Sequence, residues 1–290
     1  MRHDVSWVTV FADGDRGGNP APVVLDARGM TDDEMRAVAA RSGHESAFVL
    51  PPPAGSTADL HLRFWVPNHE MEMCGHATVG ALWLLASRGV LRTDEPVVST
   101  ASGDVHARIV RHDTEVTVEI SQPAVRTEVL DGAATAHVLD VLGVPHGRLG
   151  PAPVLNATTS RTKTLVHLDG VHTLDHLEPD LDRVEQVCDS IGSTGLYPFA
   201  FVDDGGRHLA ARQFPRSSGY PEDPATGIAA AALVLGLVEH GVLPTSNSVE
   251  VQQGRAMGRP SRMTVTPRRI DGTVAGCWLG GSVEPADPQG

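Results

Sequence analysis

Cysteine is scarce. The 290 residues include three, Cys74, Cys188 and Cys277, far apart and without a C-x-x-C pair. So scattered and odd a set builds neither a disulfide framework nor a cysteine zinc site. Positive charge is short as well: 23 Lys and Arg face 36 Asp and Glu, for a net charge of −13. That balance argues against nucleic acid and anionic membrane surfaces as partners. It leaves room for a small anionic ligand, because local dipoles dominate inside a cleft. No run of about 18 apolar residues is present, so no membrane span is expected. The start, Met1 to Trp7, lacks the apolar core of a signal peptide, and a cytoplasmic protein is expected. The histidines show no H-x-H or H-E-x-x-H spacing, so no metal site is expected. G-x-G-x-x-G, Walker and G-x-S-x-G patterns are also missing, which removes the dinucleotide, P-loop and nucleophile-elbow readings.

What the chain does have is two apolar helical stretches. One follows the turn at Pro221 and Pro224 and runs in small or apolar residues to Gly241. Asp223 is placed to cap this helix and Pro224 to take its first position, where a missing N–H costs nothing. A helix apolar nearly all round is buried. Asp223, Thr226 and Gly227 then lie at a helix mouth, where free N–H groups and the dipole suit a carboxylate. The second stretch opens at Cys74-Gly75-His76-Ala77-Thr78-Val79-Gly80 and runs to Gly89. Gly75 to Gly89 and Gly227 to Gly241 have one spacing, and both end in Gly-Val-Leu. An arginine and an aromatic precede each, Arg63-Phe64 and Arg212-Gln213-Phe214. The repeat predicts two similar halves, each built around an apolar helix.

Alternating stretches predict strands at 5–11, 21–25, 46–50, 60–66, 97–100, 105–110, 115–120, 164–168, 196–202, 208–214, 249–252 and 262–266. Thr31 and Glu34 form a capping box for a helix to Ser42. Further helices are expected at 133–142 and within 174–191. Ser121-Gln122-Pro123 reads as the crossing between halves. Strands outnumber helices and the helices are scattered, an α+β pattern with antiparallel sheet.

Four side chains carry the chemical possibilities. Glu45 stands between a helix end and a strand, as a solvated loop carboxylate or as a general acid/base. Asp223 is an ordinary cap, or a group that orients a ligand or relays a proton. Cys74 is a small buried hydrophobe or a thiolate favoured at a helix mouth. His76 is a core histidine, a donor to substrate or a proton shuttle.

Five stretches carry a resemblance: Val8 to Val24 with Gly18-Asn19-Pro20, Glu45 to Pro52, Arg63 to Gly80, Glu222-Asp223-Pro224-Ala225-Thr226-Gly227, and Gln253 to Ser261. In this order they resemble the phenazine-biosynthesis PhzF-like family of the diaminopimelate epimerase-like superfamily. The resemblance implies two pseudo-symmetric domains, each a mostly antiparallel barrel-like sheet around a central helix, with the active site in the cleft. The expected halves are 1–121 and 122–277, with 278–290 a candidate completion of the first. It further implies a cofactor-free acid/base isomerase, usually a homodimer. Such an enzyme would move a proton and double bond in a small unsaturated carboxylic or amino acid, in secondary metabolism such as phenazine or alkylproline antibiotic pathways. Glu45 is the expected proton shuttle, with His76 and Asp223 beside it. Asn19, Cys74, Gly75, Thr226, Gly227 and Ile228 are the expected substrate-binding residues.

One position departs from the family. Ile228 stands where the family commonly has serine. A hydroxyl worth about 1 kcal/mol as a net hydrogen bond is gone, and a more apolar substrate is expected. Two other readings stay open. One is a one-thiol dehydratase or epimerase using Cys74, since racemisation in this fold uses two cysteines and the repeat puts Thr226 at the second place. The other is a ligand-binding homologue without catalysis.

Overall fold

The computed structural model describes residues 4–112, 115–203 and 205–287. The described residues hold six α-helices: α1 (Asp32–Ser42), α2 (Gly75–Ser87), α3 (Gly132–Leu142), α4 (Val171–Asp175), α5 (Leu181–Ser190) and α6 (Gly227–Glu239). The two apolar stretches become α2 and α6, each of 13 residues. Every residue of α6 up to Val238 is buried, and in α2 all but Trp83 and Ser87 are. Both helices close in the same way. Gly89 and Gly241 take φ of +67° and +70°. The valine after each returns its N–H to a leucine carbonyl, Val90 to Leu85 at 2.9 Å and Val242 to Leu237 at 2.8 Å. The shared Gly-Val-Leu is thus a helix-closing device.

The chain groups into two compact units, Met1–Ser121 with Gly280–Gly290, and Gln122–Leu279. In the first, strands neighbour one another in the order Val283–Ala286, Ser6–Val10, Asn19–Val24, Ser46–Leu50, Leu60–Trp65, Val97–Thr100, Gly103–His112. In the second the order is Arg126–Val129, Leu155–Thr158, Thr162–His167, Gly195–Phe201, His208–Ala211, Val249–Gln253, Ser261–Ile270. Successive pairs run antiparallel, antiparallel, parallel, antiparallel, parallel, antiparallel in both units. The predicted repeat therefore extends to the pairing of the strands.

The pairing is mostly antiparallel, as expected, but two pairs in each unit run parallel and make the sheet mixed. Each parallel pair has a helix in its connection: α1 and α2 in the first unit, α4 with α5, and α6, in the second. Parallel partners need such a crossover because a tight turn cannot join them. The sequence reading also passed over several strands. Arg126–Val129 is polar and mostly exposed, and Val283–Ala286 contains Pro285, which argues against a central strand.

Packing holds each apolar helix against its sheet. Helix α2 lies on Ser6–Val10, Asn19–Val24 and Ser46–Leu50. A Cβ on Gly80 would stand 2.8 Å from Val8 Cγ2, so glycine permits that approach. Helix α6 lies on Leu155–Thr158, Thr162–His167 and Ser261–Ile270. Met35, Val38 and Ala39 of α1 pack with Phe48 and Trp65, while α3 and α5 bury Val138, Leu142, Val184 and Cys188 with Leu196 and Phe214. Among the described residues no helix is long and apolar enough to cross a membrane.

Candidate active site

The first unit gathers three reactive side chains at the mouth of α2. Gly43 ends α1 in the left-handed conformation, and the chain turns into the strand Ser46–Leu50, leaving Glu45 at its entrance. Cys74 is the N-cap of α2, and Gly75 and His76 are its first residues. The Cys74 thiol lies 3.0 Å from Glu45 Oε2 and donates to it. His76 Nδ1 is 3.5 Å from both Cys74 Sγ and Glu45 Oε2. The Glu45 side chain keeps 14% of its exposure and that of His76 6%, so Glu45 is not a solvated loop carboxylate. Burial holds the His76 pKa below its ordinary value, opposed by the Glu45 charge and by a hydrogen bond to the Pro20 carbonyl. The ring is therefore neutral at neutral pH. Asn19, next to Pro20, is buried.

In the second unit a chain of hydrogen bonds surrounds the mouth of α6. Helix α6 begins at Gly227 with Thr226 as its N-cap, not at Pro224 with Asp223 as cap. Asp223 instead gives its N–H to the Gln213 carbonyl at 3.1 Å, which holds it as a short bridge to that residue. Thr226 Oγ1 donates to Asp223 Oδ2 at 2.6 Å. Gln253 Nε2 donates to Thr226 Oγ1 at 3.0 Å and to the Asp223 carbonyl at 2.6 Å. Gln253 Oε1 accepts from Tyr197 Oη at 2.8 Å and from the Thr226 N–H at 3.3 Å. Asp223 is 7% exposed, and Ile228 is buried at 6%.

Arginines brace both mouths in one pattern. Arg63 grips Glu70 with Nε and Nη2 at 2.6 and 2.7 Å. Arg212 grips Glu222 with the same two nitrogens at 2.9 and 2.8 Å. Each guanidinium also lies over the aromatic ring two residues on, Trp65 at 5.6 Å and Phe214 at 4.9 Å. Such forks fix geometry as well as charge. In the second unit the aromatic is the one the sequence pairs with the arginine, Phe214; in the first it is Trp65 and not Phe64, because neighbouring residues of a strand point to opposite faces.

The structure brings Glu45, Cys74 and His76 together, and in the other unit Asp223 and Thr226. It adds Tyr197 and Gln253, which the sequence reading did not assign a role. A signal for one was available: Tyr197 is one of two tyrosines, and a buried tyrosine hydroxyl needs a partner. Chemically, the first mouth offers a carboxylate that receives a thiol proton beside a neutral imidazole. Such a set can take up and return a proton without changing its surroundings. The same three groups are also able to ligate a metal ion. No H-x-H spacing announces them, because Glu45 lies 29 residues before Cys74.

Comparison with known proteins matches residues 8–277 to the family profile of phenazine biosynthesis-like proteins, PhzC-PhzF. The Uncharacterized isomerase YddE of Escherichia coli K12 is 30% identical over 272 residues, 92% of this chain and 90% of that protein. The trans-2,3-dihydro-3-hydroxyanthranilate isomerase of Pseudomonas aeruginosa is 30% identical over 263 residues, 90% of this chain and 89% of that one. Among solved structures, a PhzF-family phenazine biosynthesis protein of Bacillus anthracis superposes with a TM-score of 0.84 at 24% identity, over 98% of this chain and 96% of that chain. A probable proline racemase from Agrobacterium radiobacter shares the fold at a TM-score of 0.63 and 12% identity, over 97% and 90% of the two chains.

Proposed function

The chain belongs to the phenazine biosynthesis-like PhzC-PhzF family, and from that membership we propose an isomerase that works by general acid/base catalysis. It moves a proton and a double bond in a small unsaturated carboxylic or amino acid. The observation that carries this reading is the half-enclosed Glu45 carboxylate, 3.0 Å from a thiol donor and 3.5 Å from a neutral imidazole. A carboxylate so held removes a proton from one carbon and returns it to another on the same face. His76 and the thiol of Cys74 steady the carboxylate between the two transfers. In this reading Asp223 orients a cationic group of the ligand or relays a proton, Thr226, Gly227 and Ile228 at the mouth of α6 bind a carboxylate, and Asn19, Cys74 and Gly75 are the binding residues of the first unit. The two compact units are its two epimerase-like halves, a view supported by their common strand-pairing succession. Family membership also supports a homodimer and a place in secondary metabolism.

The test uses proton exchange. Small unsaturated acids are incubated with the protein in deuterated water and followed by NMR. Deuterium entering one carbon as the double bond shifts is the expected result. Glu45→Gln should lower that rate by about 10²–10⁴-fold and leave the unfolding midpoint nearly unchanged. A variant within a few-fold of wild type excludes Glu45 as the shuttle. Inversion at an α-carbon, with label there, would move the Cys74 epimerase reading ahead.

A further inference from the structure

Glu45, Cys74 and His76 present three different donor atoms to one point. The separations are 3.0 Å for sulfur to oxygen, 3.5 Å for sulfur to nitrogen and 3.5 Å for nitrogen to oxygen. A tetrahedral zinc ion holds sulfur at about 2.3 Å and nitrogen or oxygen at about 2.0–2.2 Å. Those bond lengths require edges of roughly 3.3–3.6 Å between donors. Two of the three edges already have that length. The third is short because a thiol proton bridges it, and it opens by about half an ångström when the metal replaces that proton.

We propose that Glu45, Cys74 and His76 form a binding site for one zinc ion, with the fourth coordination position open to water or a ligand carboxylate. The donor set supports zinc in three ways. Sulfur, imidazole and carboxylate together suit a borderline metal and not magnesium or calcium, which take oxygen. The charges balance, since a thiolate and a carboxylate meet a doubly charged cation in a buried place. The His76 ring is also already oriented, because it donates one N–H to the Pro20 carbonyl. Metal-bound histidines make this second contact as a rule. On binding, the Cys74 S–H breaks, a sulfur–zinc bond forms and one proton leaves to solvent.

The site coincides with the groups assigned to proton transfer. If Glu45 is the shuttle proposed above, zinc occupies the oxygen that must carry the proton and inhibits the enzyme. That consequence rests on the functional reading; the binding site itself does not.

Cobalt(II) gives a test that needs no substrate. The full-length protein is stripped with chelator and titrated with cobalt, then with zinc. Expected are one equivalent bound, a near-ultraviolet thiolate-to-cobalt band, intense visible bands of a four-coordinate ion, and displacement by one equivalent of zinc. The Cys188→Ser/Cys277→Ser double variant should keep the band, and Cys74→Ser should lose it. Glu45→Gln and His76→Asn should each weaken zinc binding at least tenfold in calorimetry. Absence of the thiolate band in wild type overturns the proposal, as does its survival in Cys74→Ser or its loss in the double variant. Should Cys74→Ser fail to fold, the calorimetry of His76→Asn decides: unchanged affinity overturns the site. Zinc binding without inhibition would leave the site standing and count against Glu45 as the shuttle.

Discussion

Thr226 and Cys74 do the same thing at the heads of two helices. Each is an N-cap whose side chain leaves its own helix uncapped. Each instead donates to a carboxylate: Thr226 Oγ1 to Asp223 Oδ2 at 2.6 Å, Cys74 Sγ to Glu45 Oε2 at 3.0 Å. The hydroxyl of Thr226 is thus committed as a donor, and its oxygen accepts from Gln253. Threonine is also far too weak an acid to act as a second base, so a two-base racemisation lacks one partner here.

Cys74→Ser should remain active. Serine keeps a donor to Glu45, and the carboxylate proposed to carry the proton is untouched. We expect the exchange rate in deuterated water to fall by about tenfold at most, against the far larger loss in Glu45→Gln. Equal inactivity of the two variants would favour the one-thiol dehydratase.

Tyr197→Phe should destabilise the second unit without disturbing its packing. Tyr197 is fully buried, and burial together with the Asp223 charge pushes its pKa well above the ordinary value, so the hydroxyl stays a donor. Removing it leaves Gln253 Oε1 short of one hydrogen bond. The cost should be about 1–3 kcal/mol, read from the urea midpoint. No change would mean that the amide of Gln253 finds another partner or turns over.

Stability should fall as the pH drops below about 6.5. Burial lowers the pKa of His76 and of His167. The unfolded chain then binds protons that the folded one refuses, and stability rises with pH wherever that is so. The contribution is whole above the unfolded pKa and is lost on the way down towards the folded one. His167 Nδ1 accepts from the Ala152 N–H at 3.2 Å, a bond that protonation breaks. Unfolding midpoints at pH 7.5, 6.5 and 5.5 should decline, and less steeply in His167→Asn.

Gly254→Ala should be costly where Gly272→Ala is mild. Both glycines have positive φ, +76° and +82°. At Gly254 a Cβ would meet the Arg259 carbonyl oxygen at 2.2 Å and that of Pro224 at 2.8 Å, while Gly272 has open space. Left-handed strain alone is worth about 1–2 kcal/mol. The melting temperature of Gly254→Ala should therefore drop well beyond that of Gly272→Ala. Similar drops would show that the loop at Pro224 yields easily.

These contacts explain which parts could be read in advance. The two apolar helices were plain, because an unbroken run of small and apolar residues bounded by glycine has few other fates. Glu45 was legible as a boundary residue, since Gly43 closes α1 and Ser46 starts a strand. The head of α6 was not. An Asp-Pro pair normally starts a helix, yet the bridge from Asp223 to Gln213 delays it by a turn. The link from Tyr197 to Gln253 spans 56 residues, and no local pattern marks such a bond. Parallel pairing, too, depends on which side a crossover helix packs, which strand composition does not reveal.

The strand Val283–Ala286 pairs with Ser6–Val10, residue Val10 facing Val283. During synthesis the unit that holds Glu45, Cys74 and His76 is begun first, yet its sheet must await a strand that leaves the ribosome after the whole second unit. At about 5–20 residues per second that delay is on the order of tens of seconds. Throughout it Ser6–Val10 is an open edge, a template for pairing with other chains. The second unit has no such wait, because its strands are contiguous in the chain. The half that is translated second is therefore able to mature first, and a nascent chain stalled shortly before Val283 would expose a sticky edge on its older half.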